Sequence, residues 1–305
     1  MASVTLAESA KLAQDDLVAG VIENVITVNQ MFELLPFDGI DGNSLAYNRE
    51  NVLGDVQMLG VGGTITAKAA ATFTKVNSNL TSIIGDAEVN GLIQATRSST
   101  TDQEATQVAS KAKSAGRQYQ DQLINGDGTG DEFSGLLTLC ASGQKAATGN
   151  NGSNLSFEIM DELLDLVLDK DGVVDYMAFP ARTIRAYKAL LRGLGGASID
   201  DMYELPSGAR VIAYSNVPIF RNDWIPVDQT KGGSSATTTI FAGTLDDGSR
   251  THGIAGLTAA NSAGIVVEDV GIHQTRDETI TRVKWYCGLA LFNEKGLALA
   301  DGIKN

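Results

Sequence analysis

One long helix, predicted to begin near Thr101, constrains the fold of this chain more than any other segment. Thr101 and Glu104 have the spacing of a capping box, which marks a helix N-terminus. Apolar positions then recur at steps of three or four and form a narrow, alanine-rich stripe: Ala105, Val108, Ala109, Ala112, Ala115, Tyr119 and Leu123. Such small side chains allow close packing, so we expect the helix to lie on a sheet. A cluster of turn formers from Asn125 to Gly130 ends it.

The segments around this helix have strand patterns. Leu45 to Ile84 is β-prone, with runs at Thr64–Thr66 and Ala71–Val76 around several glycines, and predicts a long hairpin. Few large apolar residues line the hairpin, so it requires a partner surface rather than forming a core of its own. Alternation from Val283 to Leu291 predicts a half-buried strand near the C-terminus.

Shorter strands are predicted in the second half of the chain. They cover Arg210–Tyr214, Val217–Phe220, Thr237–Phe241 and Ile265–Val267. The segment Lys231–Ser235 is interpreted as an exposed loop. The order of helix, hairpin, long helix, mixed segment and final strands indicates the α+β class.

Two further predicted helices carry opposite charges. Phe157 to Asp175 is acidic, and its buried face is supplied by Ile159, Leu163, Leu166 and Val167. The next helix presents a row of bases: Arg182, Arg185, Lys188 and Arg192. These bases either face solvent or meet an acidic face on a neighbouring copy, such as that of Asp161, Glu162 and Asp165. The second interpretation makes all seven residues candidate assembly contacts that set register and rate more than affinity.

Charge and hydropathy exclude several classes of protein. The net charge of −14 argues against tight passive binding to a polyanion. The N-terminal stretch to Asn48 carries seven acids and one base, so it is neither a basic genome-condensing arm nor the basic start of a signal peptide. No apolar run reaches the length of a membrane span. We therefore expect a protein that is made and used inside a cell.

No motif supports an enzyme, a cofactor or a metal site. Asn125–Glu132 superficially resembles a calcium loop, but the twelfth position is Leu136 rather than a bidentate Glu. Cys140 and Cys287 lack a metal-ligand spacing and are interpreted as two buried free thiols. His252 and His273 are interpreted as surface or hydrogen-bonded histidines, since neither has a nearby nucleophile arrangement.

The order and the residue identities of several segments resemble those of the tailed-bacteriophage major capsid proteins with the Hong Kong 97-like fold. The resemblance covers nearly the whole chain and is carried by these segments: Gly20–Glu23, Leu35–Phe37, Gly42–Glu50, Gln122–Gly130, Glu132–Leu137 and Val283–Ala290. It implies an N-arm at residues 1–47, an E-loop at 48–84, a P-domain with a long spine helix at 85–140 and 258–305, and an A-domain at 141–257.

The resemblance also implies a function. The chain would self-assemble into hexamers and pentamers of an icosahedral phage head, in the host cytoplasm, and would enclose double-stranded DNA in the virion without sequence-specific binding. Portal and scaffolding proteins, and in some relatives a decoration protein, would be its partners. Lys68 and Lys75 lie in the hairpin region where some members carry a crosslinking lysine, but no matching asparagine and acid can be assigned. An encapsulin-like nanocompartment, or a soluble enzyme or binding module with an unrecognised site, are the alternatives.

Overall fold

The computed structural model describes residues 34–97, 102–169, 172–193, 201–204, 208 and 210–304. Predictions for the N-terminal stretch before Leu34, for Thr101 and for the end of the basic helix at Leu194 lie outside these residues. The helices are α1 (Gly91–Arg97), α2 (Gln103–Asn125), α3 (Leu136–Leu139), α4 (Phe157–Leu168) and α5 (Ala181–Gly193). The strands are β1 (Phe37–Ile40), β2 (Ser44–Val52), β3 (Thr72–Asn79), β4 (Thr81–Asn90), β5 (Tyr176–Phe179), β6 (Asp201–Glu204), β7 (Arg210–Tyr214), β8 (Val217–Arg221), β9 (Gln229–Lys231), β10 (Ser234–Gly243), β11 (Ile254–Ala259), β12 (Val266–Ile272), β13 (Glu278–Leu291) and β14 (Leu297–Ile303).

A five-stranded sheet is organised around β13. β4 pairs with β13 antiparallel from Glu278 opposite Asn90 to Cys287 opposite Thr81, while β11 and β12 pair along its other edge. β1 extends the sheet by pairing parallel to β11. The long helix α2 packs on this sheet, where Tyr119 and Trp285 bring their ring centroids to 4.6 Å. The predicted helix and its packing on a sheet are confirmed.

The start of α2 and the extent of its buried stripe differ from the prediction. The N-cap is Asp102, whose carboxylate accepts hydrogen bonds from the amides of Glu104 and Ala105. An aspartate at the N-cap satisfies backbone amides of the first turn that have no partner within the helix. The stripe is fully buried only in its second half. Ala105 and Ala109 are exposed, whereas Ala115, Tyr119 and Leu123 are buried.

A seven-stranded sheet carries the two charged helices. Its order is β14-β10-β5-β8-β7-β6, with β9 added to β10. α4 and α5 cover one face, where their apolar sides pack on alternate residues such as Met177, Phe179 and Ile240. The intervening residues of the same strands, such as Ala178 and Phe241, point to the opposite face and join a core with α2 and β13. One set of buried side chains, here named the joint core, therefore connects the two sheets.

The predicted hairpin is present, with strand boundaries that differ from the predicted β-prone runs. β2 pairs with β3 antiparallel from Ser44 opposite Asn79 to Val52 opposite Thr72. The run Thr64–Thr66, predicted as a strand, lies in the 19-residue connection 53–71, which has no strand. The β propensity of threonine and isoleucine does not produce a strand there because no neighbouring strand pairs with them.

Other predicted elements are confirmed with changed boundaries. The acidic helix ends at Leu168, and the segment that follows enters the buried strand β5. The predicted strands at Arg210, Val217, Thr237 and Val283 match β7, β8, β10 and β13, and the run at Ile265–Val267 enters β12. Lys231, assigned to an exposed loop, is half-buried and forms an ion pair with Asp301, since β9 and β10 bend tightly at Gly232.

Candidate assembly surfaces

The connection of the hairpin exposes large apolar side chains. Val56 is 93% exposed, and Met58, Val61 and Ile65 are exposed as well. We name these four side chains the apolar tip. Fully burying one such side chain contributes about 1.5–3 kcal/mol, so leaving several of them in water favours a partner.

Gln57 fixes the shape of this connection. Its side-chain oxygen accepts hydrogen bonds from the amides of Thr66 at 2.9 Å and Ala67 at 2.7 Å, and from the Thr66 hydroxyl at 2.7 Å. Its side-chain nitrogen donates to the Thr64 carbonyl at 3.0 Å. One side chain thus connects the two sides of the segment, beside a backbone hydrogen bond from the Asp55 amide to the Ala69 carbonyl at 3.0 Å.

The base of the hairpin is anchored to the end of β13. The Tyr47 hydroxyl donates to the Leu291 carbonyl at 2.7 Å, and its ring lies edge-on to Phe292 with centroids 5.2 Å apart. Arg49 donates to the carbonyls of Leu291 at 2.7 Å and Phe292 at 3.2 Å. The hairpin therefore leaves the body in a defined direction while its far end is free of the core.

The predicted lysine candidates both lie on the hairpin. Lys68 is exposed in the connection, and Lys75 is exposed on β3 opposite Asn48. The structure brings neither of them to an acidic partner among the described residues.

The row of bases on α5 divides into one internal and three external members. Arg182 donates to the carbonyls of Ala236 at 2.9 Å and Ile303 at 3.4 Å, so it ties the helix to the seven-stranded sheet. Its predicted role as an assembly contact stays a prediction. Arg185, Lys188 and Arg192 are exposed on the helix surface.

The acidic candidates on α4 also differ in their surroundings. Glu162 is half-buried and accepts a hydrogen bond from the Ala147 amide at 2.9 Å, so its carboxylate has a partner within its own chain. Asp161 and Asp165 are exposed, and Asp161 accepts a hydrogen bond from the Tyr214 hydroxyl at 2.5 Å. Burial, followed by this bond to a carboxylate, raises the pKa of Tyr214 above its ordinary value.

The thiols, the histidines and the calcium-like segment lie in the surroundings that the sequence predicts. Cys140 and Cys287 are buried free thiols, as predicted, and burial raises their pKa values to about 11 and about 12. His252 and His273 lie in exposed turns and hydrogen-bond with Thr251 and Thr275, as expected. The calcium-like segment is a turn in which the Asp127 carboxylate accepts from the Thr129 amide and hydroxyl.

Two features are absent from the described ranges. These ranges contain no group of three or more histidine, cysteine or acidic side chains that could hold a metal ion. None of the helices within them is both long enough and apolar enough to cross a membrane.

Sequence reasoning missed the apolar tip, Gln57 and Glu158 as candidate site residues. Glu158 is exposed one turn before Asp161 on the same side of α4. Its position three residues before Asp161 indicates, from the sequence alone, that the two acids share a side of the helix. The apolar tip has no periodic signal because its residues belong to a connection without regular structure.

The structure is similar to solved shell proteins over almost its whole length. The holo-SrpI encapsulin complex from Synechococcus elongatus PCC 7942 matches with a TM-score of 0.74 at 18% identity, covering 99% of this chain and 97% of that chain. The capsid of a native GTA particle matches with a TM-score of 0.67 at 13% identity, covering 98% of each chain. A structure from Mycobacterium phage Bobi matches with a TM-score of 0.63 at 11% identity, covering 98% of this chain and 99% of that chain.

Comparison at the level of sequence gives no match. Neither a protein-family model nor a curated protein matches the chain. The structural likeness establishes the fold, and both the α+β class and the Hong Kong 97-like architecture expected from the sequence are confirmed.

Proposed function

We propose that this chain, which has the Hong Kong 97-like fold, is a structural shell protein and serves as the major capsid protein of a phage head. Copies assemble into hexamers and pentamers of an icosahedral shell that encloses double-stranded DNA. The protein has no catalytic role in this proposal. Portal and scaffolding proteins join the assembly in this proposal, and a decoration protein is a further proposed partner.

The apolar tip is the observation that carries the proposal. Val56, Met58, Val61 and Ile65 are exposed on a hairpin whose base is fixed to the body by Tyr47 and Arg49. A subunit that remained alone would keep these side chains in water. On a second copy they would be buried, and the apolar area removed from water would favour association.

The resemblance-based division into regions supports the same proposal. Residues 1–47 act as the N-arm and residues 48–84 as the E-loop that lies across an adjacent subunit. Residues 85–140 and 258–305 form the P-domain, with α2 as its spine, and residues 141–257 form the A-domain. In this division α2 belongs to the P-domain and α4 and α5 belong to the A-domain. The division separates β14 from its sheet partner β10, and most of β11 from its partner β13.

The enclosed DNA is held without a dedicated binding site. A net charge of −14 gives each copy no general attraction for a polyanion. In this proposal a motor fills the shell, and the acidic chain leaves the genome loosely held. The shell is the virion capsid, and its subunits assemble in the host cytoplasm.

An encapsulin-like nanocompartment is the second candidate. The encapsulin complex has a TM-score of 0.74, above the 0.67 of the GTA capsid and the 0.63 of the Bobi phage structure. Gene neighbours distinguish the two candidates. Portal and terminase genes beside the coding sequence support the phage head, whereas an enzyme gene that encodes cargo supports the compartment.

Electron microscopy and size-exclusion chromatography of the purified chain test the shell function itself. We expect rings of five or six copies, closed particles, or both, as concentration rises. A strictly monomeric chain at every salt and protein concentration would overturn the proposal for the phage head and for the compartment alike.

A further inference from the structure

Three exposed bases on α5 form a stripe that has no acidic partner among the described residues. Arg185, Lys188 and Arg192 are separated by three and then four residues, so they lie along one side of the helix. The Arg192 Nε donates to the Lys188 carbonyl at 3.1 Å, which steadies the guanidinium without neutralising it. We name these residues the basic stripe.

Three exposed acids on α4 repeat the same spacing. Glu158, Asp161 and Asp165 are also separated by three and then four residues. Their neighbours on the helix are engaged elsewhere, since Glu162 accepts from the Ala147 amide and Asp169 pairs with Lys295. We name Glu158, Asp161 and Asp165 the acidic stripe.

The two stripes match in length and opposite charge. Seven steps along the helix at a rise of ~1.5 Å each make each stripe ~10.5 Å long. The two helices lie on the same face of the seven-stranded sheet, and Phe157 and Tyr187 approach with ring centroids 6.4 Å apart. Even so, no ion pair between the stripes forms within the described part of one chain.

We propose that the acidic stripe of one copy docks on the basic stripe of the adjacent copy in the same ring. The inference rests on the proposed shell function and specifies one contact within it. The contact joins two different surfaces, and a contact of this kind repeats into a ring when the rotation between copies closes. In either direction of helix alignment Asp161 faces Lys188, and the outer residues exchange partners between the two directions.

This contact sets register rather than supplying most of the affinity. A solvent-exposed ion pair contributes about 0–1 kcal/mol, so the apolar tip dominates the free energy of association. Opposite charges still guide the approach of two copies and disfavour a shifted register in which like charges meet. The outer members of a stripe are ~10.5 Å apart, which exceeds the Debye length of about 8 Å at physiological salt. A charge at one end of a stripe is therefore largely screened from a charge at the other end.

Charge reversal tests whether the basic stripe is used. We expect the double variant Arg185→Glu with Arg192→Glu to remain folded by circular dichroism and to lose particles by about tenfold or more. A matched control reverses two exposed bases elsewhere: Lys145 and Lys304. The control changes net charge at least as much and is expected to assemble. Equal yields from the stripe variant and the wild type would overturn the proposal.

Charge exchange then tests the contact itself, and it leaves Asp161 and its bond to Tyr214 untouched. One direction of alignment predicts that Glu158→Arg rescues Arg185→Glu, and that Asp165→Arg rescues Arg192→Glu. The opposite direction predicts rescue of Arg192→Glu by Glu158→Arg, and of Arg185→Glu by Asp165→Arg. Rescue by one set of pairs alone supports the contact and gives its direction.

The remaining outcomes decide against the contact. Equal rescue by both sets of pairs would mean that only net charge matters, and no rescue by either set would mean that the stripes do not meet. Both results overturn the inference while wild-type particles still support the shell function. A wild-type chain that never assembles would instead remove the shell function on which the inference rests.

Discussion

At the scale of single residues, Gln57 controls the order of the hairpin connection. We predict that Gln57→Ala increases hydrogen exchange at the Thr66 and Ala67 amides, because both donate to the Gln57 side-chain oxygen. The midpoint of thermal unfolding should change little, since the connection lies outside the core. Exchange measured by mass spectrometry or NMR checks this prediction.

A conservative variant provides the control for Gln57. Gln57→Glu keeps the oxygen acceptor and loses the donor to Thr64, so the Thr66 and Ala67 amides should remain protected. If alanine and glutamate variants exchange equally fast, or if neither differs from the wild type, the side-chain oxygen does not order this segment.

The two thiols give a second prediction at this scale. Burial raises the pKa of Cys140 to about 11 and that of Cys287 to about 12, so both remain protonated in the folded chain at pH 8. Because the thiolate is the reactive form, a thiol reagent should modify neither residue before unfolding and both residues in guanidinium. Their contribution to stability is present below the unfolded pKa of about 8.5 and declines as pH rises toward the folded values. Rapid labelling of native protein at pH 8 would contradict this assignment.

The charge pattern of individual residues predicts the surface stripes only in part. Arg185, Lys188, Asp161 and Asp165 are exposed as the pattern indicates. Arg182 belongs to the same helical row, yet it donates to two carbonyls of the sheet. Helical spacing predicts which residues share a side of α5. It does not predict that Arg182 reaches the end of β14, because that contact depends on tertiary packing between segments far apart in the sequence.

At the scale of elements, the hairpin connection separates folding from assembly. We predict that replacing residues 53–71 with a short Gly-containing turn yields a folded subunit that no longer forms particles. The removed segment contains the apolar tip but no residue of the joint core. Circular dichroism and electron microscopy check the two halves of this prediction.

A milder change controls for damage to the hairpin base. Val61→Ala and Met58→Ala shorten two exposed side chains and leave the strands β2 and β3 intact. We expect the point variants to fold and to assemble less efficiently than the wild type. A normal particle yield after replacement of residues 53–71 would contradict the role given to the apolar tip.

Elements with a clear period were predictable from sequence, and elements without one were not. α2, α4, α5 and β13 follow regular apolar spacings, and their positions agree with prediction. β5 is buried along its whole length, so it has no alternation to distinguish it from a helix. β1 pairs parallel to β11, a partner more than 200 positions away, and local pattern contains no information on such a pairing.

At the scale of the whole molecule, the joint core predicts cooperative unfolding of the two sheets. Phe241 belongs to the seven-stranded sheet and shares the joint core with Trp285 and Cys287 of the five-stranded sheet. We predict that Phe241→Leu costs about 1 kcal/mol and weakens protection of amides in β13 as much as in β10. Hydrogen exchange of the intact chain measures both strands together.

An exposed apolar substitution gives the comparison for this prediction. Ile65 is 62% exposed, so Ile65→Ala should leave the protection of both strands unchanged. Loss of protection in β10 alone after Phe241→Leu, or two separate thermal transitions of the wild type, would show that the sheets unfold independently.

The hydrogen bonds of Gln57 affect the thermodynamics of association. They restrict the backbone around Thr64–Ala67 in the free subunit. A segment that is already ordered loses little conformational entropy when it is immobilised, so more of the free energy from burying its apolar side chains remains available for binding. The same preorganisation favours a faster association rate, because no slow ordering step separates encounter from docking. Subunit concentration, rather than a folding transition in the hairpin, would then determine when association begins.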